Sequence, residues 1–310
     1  MSAEPALLAA EKSAPAPRPT LRSRLMRDGG IIFGAVILLL MAVIGLAAPL
    51  LGTKSPSEIN PSFRNRVPGI EQTIRNDDGT TRIFTYRMGT DSLGRDIYSR
   101  VVYGARVSLI IGITVAAISI AIGLFIGLIA GYMRWVDAIV MRLMDGLMAI
   151  PAILLAIALV SLFRAGLLSV IVAIIVPEIP RVVRLVRSIV LSVREEPYVE
   201  AAIMAGTRTP LLLVRHVLPN TIPALIVQGT FICANAILIE AILSFLGIGI
   251  PPETPTWGNI MAEGRAYFQI KPSLIFWPGL LLSIAILSVN LIGDAARDAL
   301  DPRMKQREGK

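Results

Sequence analysis

Runs of apolar residues, each close to the length that crosses a bilayer, constrain this chain more than anything else in it. The uncharged run at 107–131 is the clearest, and others cover 31–51, 144–163, 167–190, 221–250 and 274–292. A helix rising ~1.5 Å per residue needs about 20 mostly apolar residues to cross ~30 Å of hydrocarbon, where its backbone finds no water to bond. Hydrophobic residues make up 54% of the 310 and aromatic ones only 6%, more apolar surface than one water-soluble core would bury. The expected fold class is an all-α polytopic membrane protein with six transmembrane helices.

Charge sets the orientation. Residues 1–30 are polar and rich in Ala and Pro, with Lys12, Arg18, Arg22, Arg24 and Arg27, and read as a cytoplasmic tail. The 31–51 run is too long and too far from the N-terminus for a secretory signal, so it reads as a retained first transmembrane helix. Residues 52–106 form an extracytoplasmic loop with the turn-like Asn76, Asp77, Asp78 and Gly79. Loops at 132–143 and 191–220 lie inside, as does a C-terminal tail at 294–310 with Arg297, Arg303, Lys305, Arg307 and Lys310. Both termini are then cytoplasmic, in keeping with the retention of Lys and Arg on that side. Arg64, Arg66, Arg75, Arg82, Arg87, Arg95, Arg100 and Arg106 run against the rule, but it weakens in long loops. Reversing the chain would put both basic tails and the face of Arg181, Arg184 and Arg187 outside.

The formal charge of +8 sits at the edges of apolar runs, not on a polar domain, which argues against nucleic acid as a partner and for membrane lipid. Cys233 lies inside an apolar run and His216 stands alone, so no disulfide framework, metal cluster or catalytic nucleophile pair can be built. No G-x-x-x-x-G-K-[ST] loop is present to cradle phosphates. The chain is read as no enzyme, with no catalytic residues, no metal and no cofactor of its own.

Within the spans, Gly112, Gly123, Gly127 and Gly131 recur at or near four-residue steps. They permit close helix contact, or simply reflect the frequency of glycine in membrane helices. Pro177, Glu178 and Pro180 interrupt the fourth span, which is expected to bend and emerge as an amphipathic extension carrying Arg181, Arg184 and Arg187. Glu240, in an apolar run, costs about 2.5 to 3.5 kcal/mol at a helix centre unless it is partnered or faces water. It is expected to face the interior, in a structural hydrogen bond rather than a substrate contact. Glu178 is read as gate or interface structure.

Residues 198–220 read Y-V-E-A-A-I-M-A-G-T-R-T-P-L-L-L-V-R-H-V-L-P-N. Glu200, Ala201 and Ala202 favour a helix, Gly206 can take the left-handed conformation that ends one, and Thr209 with Pro210 starts a second. Pro219 restarts the chain at the membrane. Such a bent pair is either a docking knob, with 211–214 as its apolar contact, or an ordinary well-capped loop.

Glu200, Ala201, Ala202, Gly206, Leu218 and Pro219 match the E-A-A-x3-G-x9-I-x-L-P loop of permease subunits of bacterial ATP-binding-cassette importers, which this chain resembles. His216 replaces the usual Ile, and R-H-V-L-P-N at 215–220 is similar to the peptide and nickel branch. M-G-T-D-S-L-G-R-D at 88–96, Y-G-A-R at 103–106, S-F-L-G at 244–247, Trp257 with Gly258, and G-D through D-A-L-D-P-R at 293–303 point the same way. Together, over about 30–304, they resemble the second permease of dipeptide and oligopeptide importers.

The resemblance implies a type I importer permease fold with a MetI-like core formed by spans two to six, in the bacterial inner membrane. It implies a coupling loop at 198–220 and, as partners, a second homologous permease, one or two ATPase subunits that bind ATP and Mg, and an extracytoplasmic solute-binding protein. The substrate class it implies is di- or oligopeptides, with nickel, glutathione or an opine as alternatives. The 89–96 stretch is a structured loop that leads into the second helix, with contact to a binding protein open to it. A secondary transporter would need paired broken helices and an ion site, and a scaffold would leave every uptake rate unchanged; the coupling loop argues against both.

Overall fold

The computed structural model describes residues 29–75, 81–163 and 166–300. Residues 1–28 and 301–310 of the expected tails, the expected turn at 76–79 and the link residues Arg164 and Ala165 lie outside them. The first described helix, α1, is Gly29–Leu46, and the rest of the expected first span closes in a short 3₁₀ turn at Ala48–Leu50.

Residues 52–96 are more than a loop. Strands β1 (Ile70–Arg75) and β2 (Thr81–Tyr86) pair antiparallel, Ile70 opposite Tyr86 and Arg75 opposite Thr81. The all-α expectation thus holds for the spans, with a hairpin added outside them. Phe84 and Tyr86 stack edge to face, and the Lys54 ammonium lies 4.5 Å from the Phe84 ring centre, which ties the hairpin to the chain leaving α1.

Asp96 starts the central helix. Its carboxylate accepts the Ser99 backbone N–H at 2.9 Å, satisfying a donor that the first turn leaves free. Burial pushes this carboxyl above its ordinary range, and the Ser99 bonds oppose that. From there α2 runs Ile97–Tyr132, beginning well before the apolar run at 107.

The expected third span, 144–163, is instead two helices, α3 (Arg134–Met148) and α4 (Ala152–Leu162), bent by 90°. Pro151 is the reason, because it lacks an N–H and biases Ile150 away from helical geometry. The expected loop at 132–143 is mostly the first half of α3, an amphipathic helix.

Helix α5 (Leu167–Val193) runs unbroken through Pro177 and Pro180, both buried, so the expected interruption is absent. Short α6 (Pro197–Met204) and α7 (Thr209–Leu212) follow, then α8 (Leu218–Phe245), α9 (Trp257–Gly264) and α10 (Ser273–Leu300). The last helix extends past the expected tail boundary at 293.

By length and composition, α1, α2, the continuous stretch Thr209–Phe245 and α10 can cross a membrane, and the bent α3–α4 pair makes a fifth candidate. The fourth expected span, α5, falls outside that count because Glu178, Arg181 and Arg184 all lie within its first 18 residues.

The core sits where α2, α5 and α8 meet. A Cβ on Gly123, Gly127 or Gly131 would stand 2.5, 2.7 and 2.7 Å from the Cβ of Val182, Val186 and Val190. Three successive turns of α2 therefore offer no side chain to three successive turns of α5, and the glycines serve close contact rather than composition. In lipid such packing is held by van der Waals contact, since apolar surface gains nothing by leaving an apolar solvent. Gly112 plays the same part towards Ile237 and Cys233 of α8.

Candidate coupling site and pathway residues

The knob at 197–217 begins where α5 ends. Pro197 occupies the first turn of α6, where its missing N–H costs nothing. At the other end Gly206 adopts φ +79°, its N–H bonds the Ile203 carbonyl at 2.9 Å, and the Thr207 N–H bonds the Ala202 carbonyl at 3.1 Å. These two bonds are the glycine-terminated helix stop that the sequence predicts. The next start shifts by one residue: Arg208 takes the cap position, with Thr209 and Pro210 in the first turn.

The second short helix is not separate from the membrane. Through a π-helical turn at Leu213–Val217, with the Leu218 N–H bonded to the Leu213 carbonyl, α7 continues into α8. Pro219, expected to restart the chain, lies in the first turn of α8. A wide turn suits this point because Pro219 could not donate to an α-helical partner. Asn220 donates to the His216 carbonyl at 2.7 Å and to the Tyr198 hydroxyl at 3.1 Å, pinning the start of α6 to the start of α8. His216 sits half-buried beside Tyr198, the rings 6.4 Å apart.

Val199, Leu212 and Val217 are fully buried in one cluster with Val186, Val190 and Val193 of α5. The opposite side of the knob is apolar and open: Met204 is 89% exposed, Val214 60% and Leu211 52%. Glu200, Ala201, Gly206 and Pro219 are exposed, while Ala202 and Leu218 are half-buried. A Cβ on Gly206 would meet nothing within 4 Å. Four of the six sequence-predicted residues thus lie on the knob, with Leu218 and Pro219 in the first turn of α8 that joins it.

The two intramembrane carboxylates lie apart from it and from each other. Glu178 is fully buried on α5, accepts Asn235 Nδ2 of α8 at 2.6 Å, and pairs with Arg181 at 3.1 Å. Glu240 is fully buried on α8, accepts the Ser244 hydroxyl of its own helix at 2.8 Å, and also meets the Thr256 side chain ahead of α9. Both face protein interior, as expected of Glu240.

Residues 100–306 match the family model described as "Binding-protein-dependent transport system inner membrane component". The chain belongs to this family.

A "Probable peptide ABC transporter permease protein y4tQ" of Sinorhizobium fredii is 50% identical over 277 residues, covering 89% of this chain and 90% of that one. A "Dipeptide transport system permease protein DppC" of Alkalihalophilus pseudofirmus is 38% identical, covering 91% and 88%. A "Glutathione transport system permease protein GsiD" of Pectobacterium atrosepticum is 41% identical over 219 residues, covering 70% and 73%. The chain is therefore a multi-pass inner-membrane permease of an ATP-binding-cassette importer, a transmembrane subunit that works with separate ATPase and binding-protein partners.

At the end of the permease opposite the knob, Arg95 and Arg100 are 3% and 1% exposed. Arg95 reaches Asp91 at 2.7 Å and Glu263 at 2.6 Å, and Arg100 reaches Glu263 at 2.9 Å. Both also donate to the Pro252 carbonyl. The G-T-D-S-L-G-R-D stretch is thereby clamped onto α9. Trp257, completely buried, bonds the Val101 carbonyl at 3.2 Å through its indole N–H. Sequence reasoning counted Arg95 and Arg100 as loop charges, whereas they are neutralised inside the protein. Nearer the knob, Arg187 pairs with Asp137 and Arg184 with Asp145, tying α5 to α3.

Proposed function

We propose that this permease forms half of the translocation pathway for di- or oligopeptides, with a second homologous permease forming the other half. The exposed apolar knob carries this reading: it is anchored by buried valines to α5, fused to α8 through the π-turn, and shaped to be gripped from outside. Glu200, Ala201, Ala202, Gly206, Leu218 and Pro219 dock in a cleft of an ATPase subunit, one or two of which bind ATP and Mg. Closure of the ATPases moves the knob and, with it, two membrane helices at once. The knob, Arg184, Arg187 and both termini are cytoplasmic, and the hairpin and the Arg95–Glu263 clamp face the solute-binding protein. Peptide as substrate is supported by the relatives' names, and the glutathione relative favours a second reading in which that tripeptide is carried.

The test is uptake of labelled dipeptide, longer peptide, glutathione and nickel ion in a strain lacking the gene, with and without its restoration. Loss and recovery of one peptide signal is expected. Loss of nickel uptake alone would overturn the peptide reading.

A further inference from the structure

A cavity of about 680 Å³ opens between α5, α8 and α10 at the ends nearest the knob, within the range of small-molecule sites. Leu185 lines it from α5, Asn220, Gln228 and Phe231 from α8, and Arg297 and Leu300 from α10. On α8, Asn220, Ala224, Gln228, Phe231 and Asn235 recur at three- and four-residue steps, so their amides share one stripe. Polar groups at membrane depth face protein or water, not lipid.

Arg181 stands across from the deep end of that stripe. Its neighbour Val182 packs on Gly123, eight residues of α2 from the Gly131–Val190 contact near the end of that helix, about 12 Å at ~1.5 Å per residue. Arg181 therefore lies about two helical turns in from that end, yet its side chain is 45% exposed. Its Nη1 is held by Glu178 at 3.1 and 3.3 Å, and Glu178 is fixed by Asn235. Its Nε and Nη2 engage no other described residue. Leu185 and Phe231 lie one turn along their helices from Arg181 and Asn235, so the cavity stops one turn short of this group. Among the described residues no carboxylate lines it, and Arg297 stands near its mouth.

We propose that this cavity, together with the Arg181 group one turn beyond its deep end, forms a waypoint of the pathway that holds a solute by its carboxylate, with Arg181 as the deep anchor, Arg297 as the shallow one, and the amides of Gln228 and Asn220 between them. Glu178 and Asn235 are positioning residues that aim the Arg181 guanidinium. The inference rests on the peptide reading above, since a peptide presents a terminal carboxylate beside backbone amides. Pro219 also lines the cavity, so motion of the knob alters its wall directly.

The experiment uses the whole importer in inside-out vesicles, with Cys233→Ala and Gln228→Cys. Two membrane-impermeant thiol reagents of similar size, one a sulfonate and one a trimethylammonium, are compared by labelling rate, each normalised to a free thiol. The sulfonate is expected to react faster, and Arg181→Gln to lower the ratio of the two rates by about tenfold, with Arg181→Lys keeping most of it. No reaction with either reagent, or a ratio untouched by Arg181→Gln, overturns the carboxylate site. Peptide uptake by the unsubstituted importer is read in parallel: its absence overturns the peptide reading alone, because the labelling ratio does not depend on which solute is carried.

Discussion

At the clamp, Arg95 and Arg100 are 3% and 1% exposed and share Asp91, Glu263 and the Pro252 carbonyl. At the knob, Met204 is 89% exposed and Gly206 has open space where a side chain would stand. The first region pairs its charged groups with one another and so defines its own shape. The second keeps apolar surface uncovered and holds only its root in the core, which is how a surface built for a partner differs from one built for itself.

Breaking the clamp is expected to have the largest effect. Arg100→Ala leaves Glu263 short of a buried partner and should destabilise the permease by about 3 to 5 kcal/mol, read as thermal unfolding in detergent. Arg100→Met with Glu263→Leu should recover part of that loss, and a double variant no better than the single one would mean that the pair is not the source. Next comes the glycine seam: Gly127→Leu forces a side chain against Val186 and should cost about 1 to 3 kcal/mol, partly restored by Val186→Ala.

Gly206→Val sharpens the comparison. It meets no neighbour, but φ +79° makes it cost about 1 to 2 kcal/mol in backbone strain, so the protein should still insert while uptake is lost. Normal uptake by this variant would sink the coupling role. Asp137→Asn should cost less than about 1 kcal/mol because both partners are partly solvated. The Arg187 guanidinium holds the Asp137 carboxyl below its usual range. The pair's contribution is therefore complete at neutral pH and is lost only as acid takes the pH down through that lowered value. Smallest in stability is Met204→Ser, expected within about 0.5 kcal/mol of the parent, yet lowering uptake; unchanged transport would remove Met204 from the docking surface.

Where the controlling physics is local, the sequence was a sufficient guide. The apolar runs and the Gly206 helix stop depend on neighbours a few residues away, whereas the spacing of Gly123, Gly127 and Gly131 left close contact and mere frequency open, and only α5 lying against them decides it. The clamp joins Arg100 to Glu263 across 163 positions, and no periodicity in one strand of text reveals such a partner. Arg184 and Arg187 were legible as a basic face, but not as the fastening of α3, because their partners Asp145 and Asp137 lie 39 and 50 positions away on another helix. The π-turn escaped for another reason: Pro219 reads as a break unless the turn before it widens.

The seam between α2 and α5 bears on leakage. A membrane pump that admits a polar solute must still hold back protons and ions, and a file of water needs room and polar partners. Three successive turns closed by valine against bare backbone offer neither. Water is thereby kept out of the seam, and Arg181, little more than a quarter turn round α5 from Val182, stands just off the sealed face.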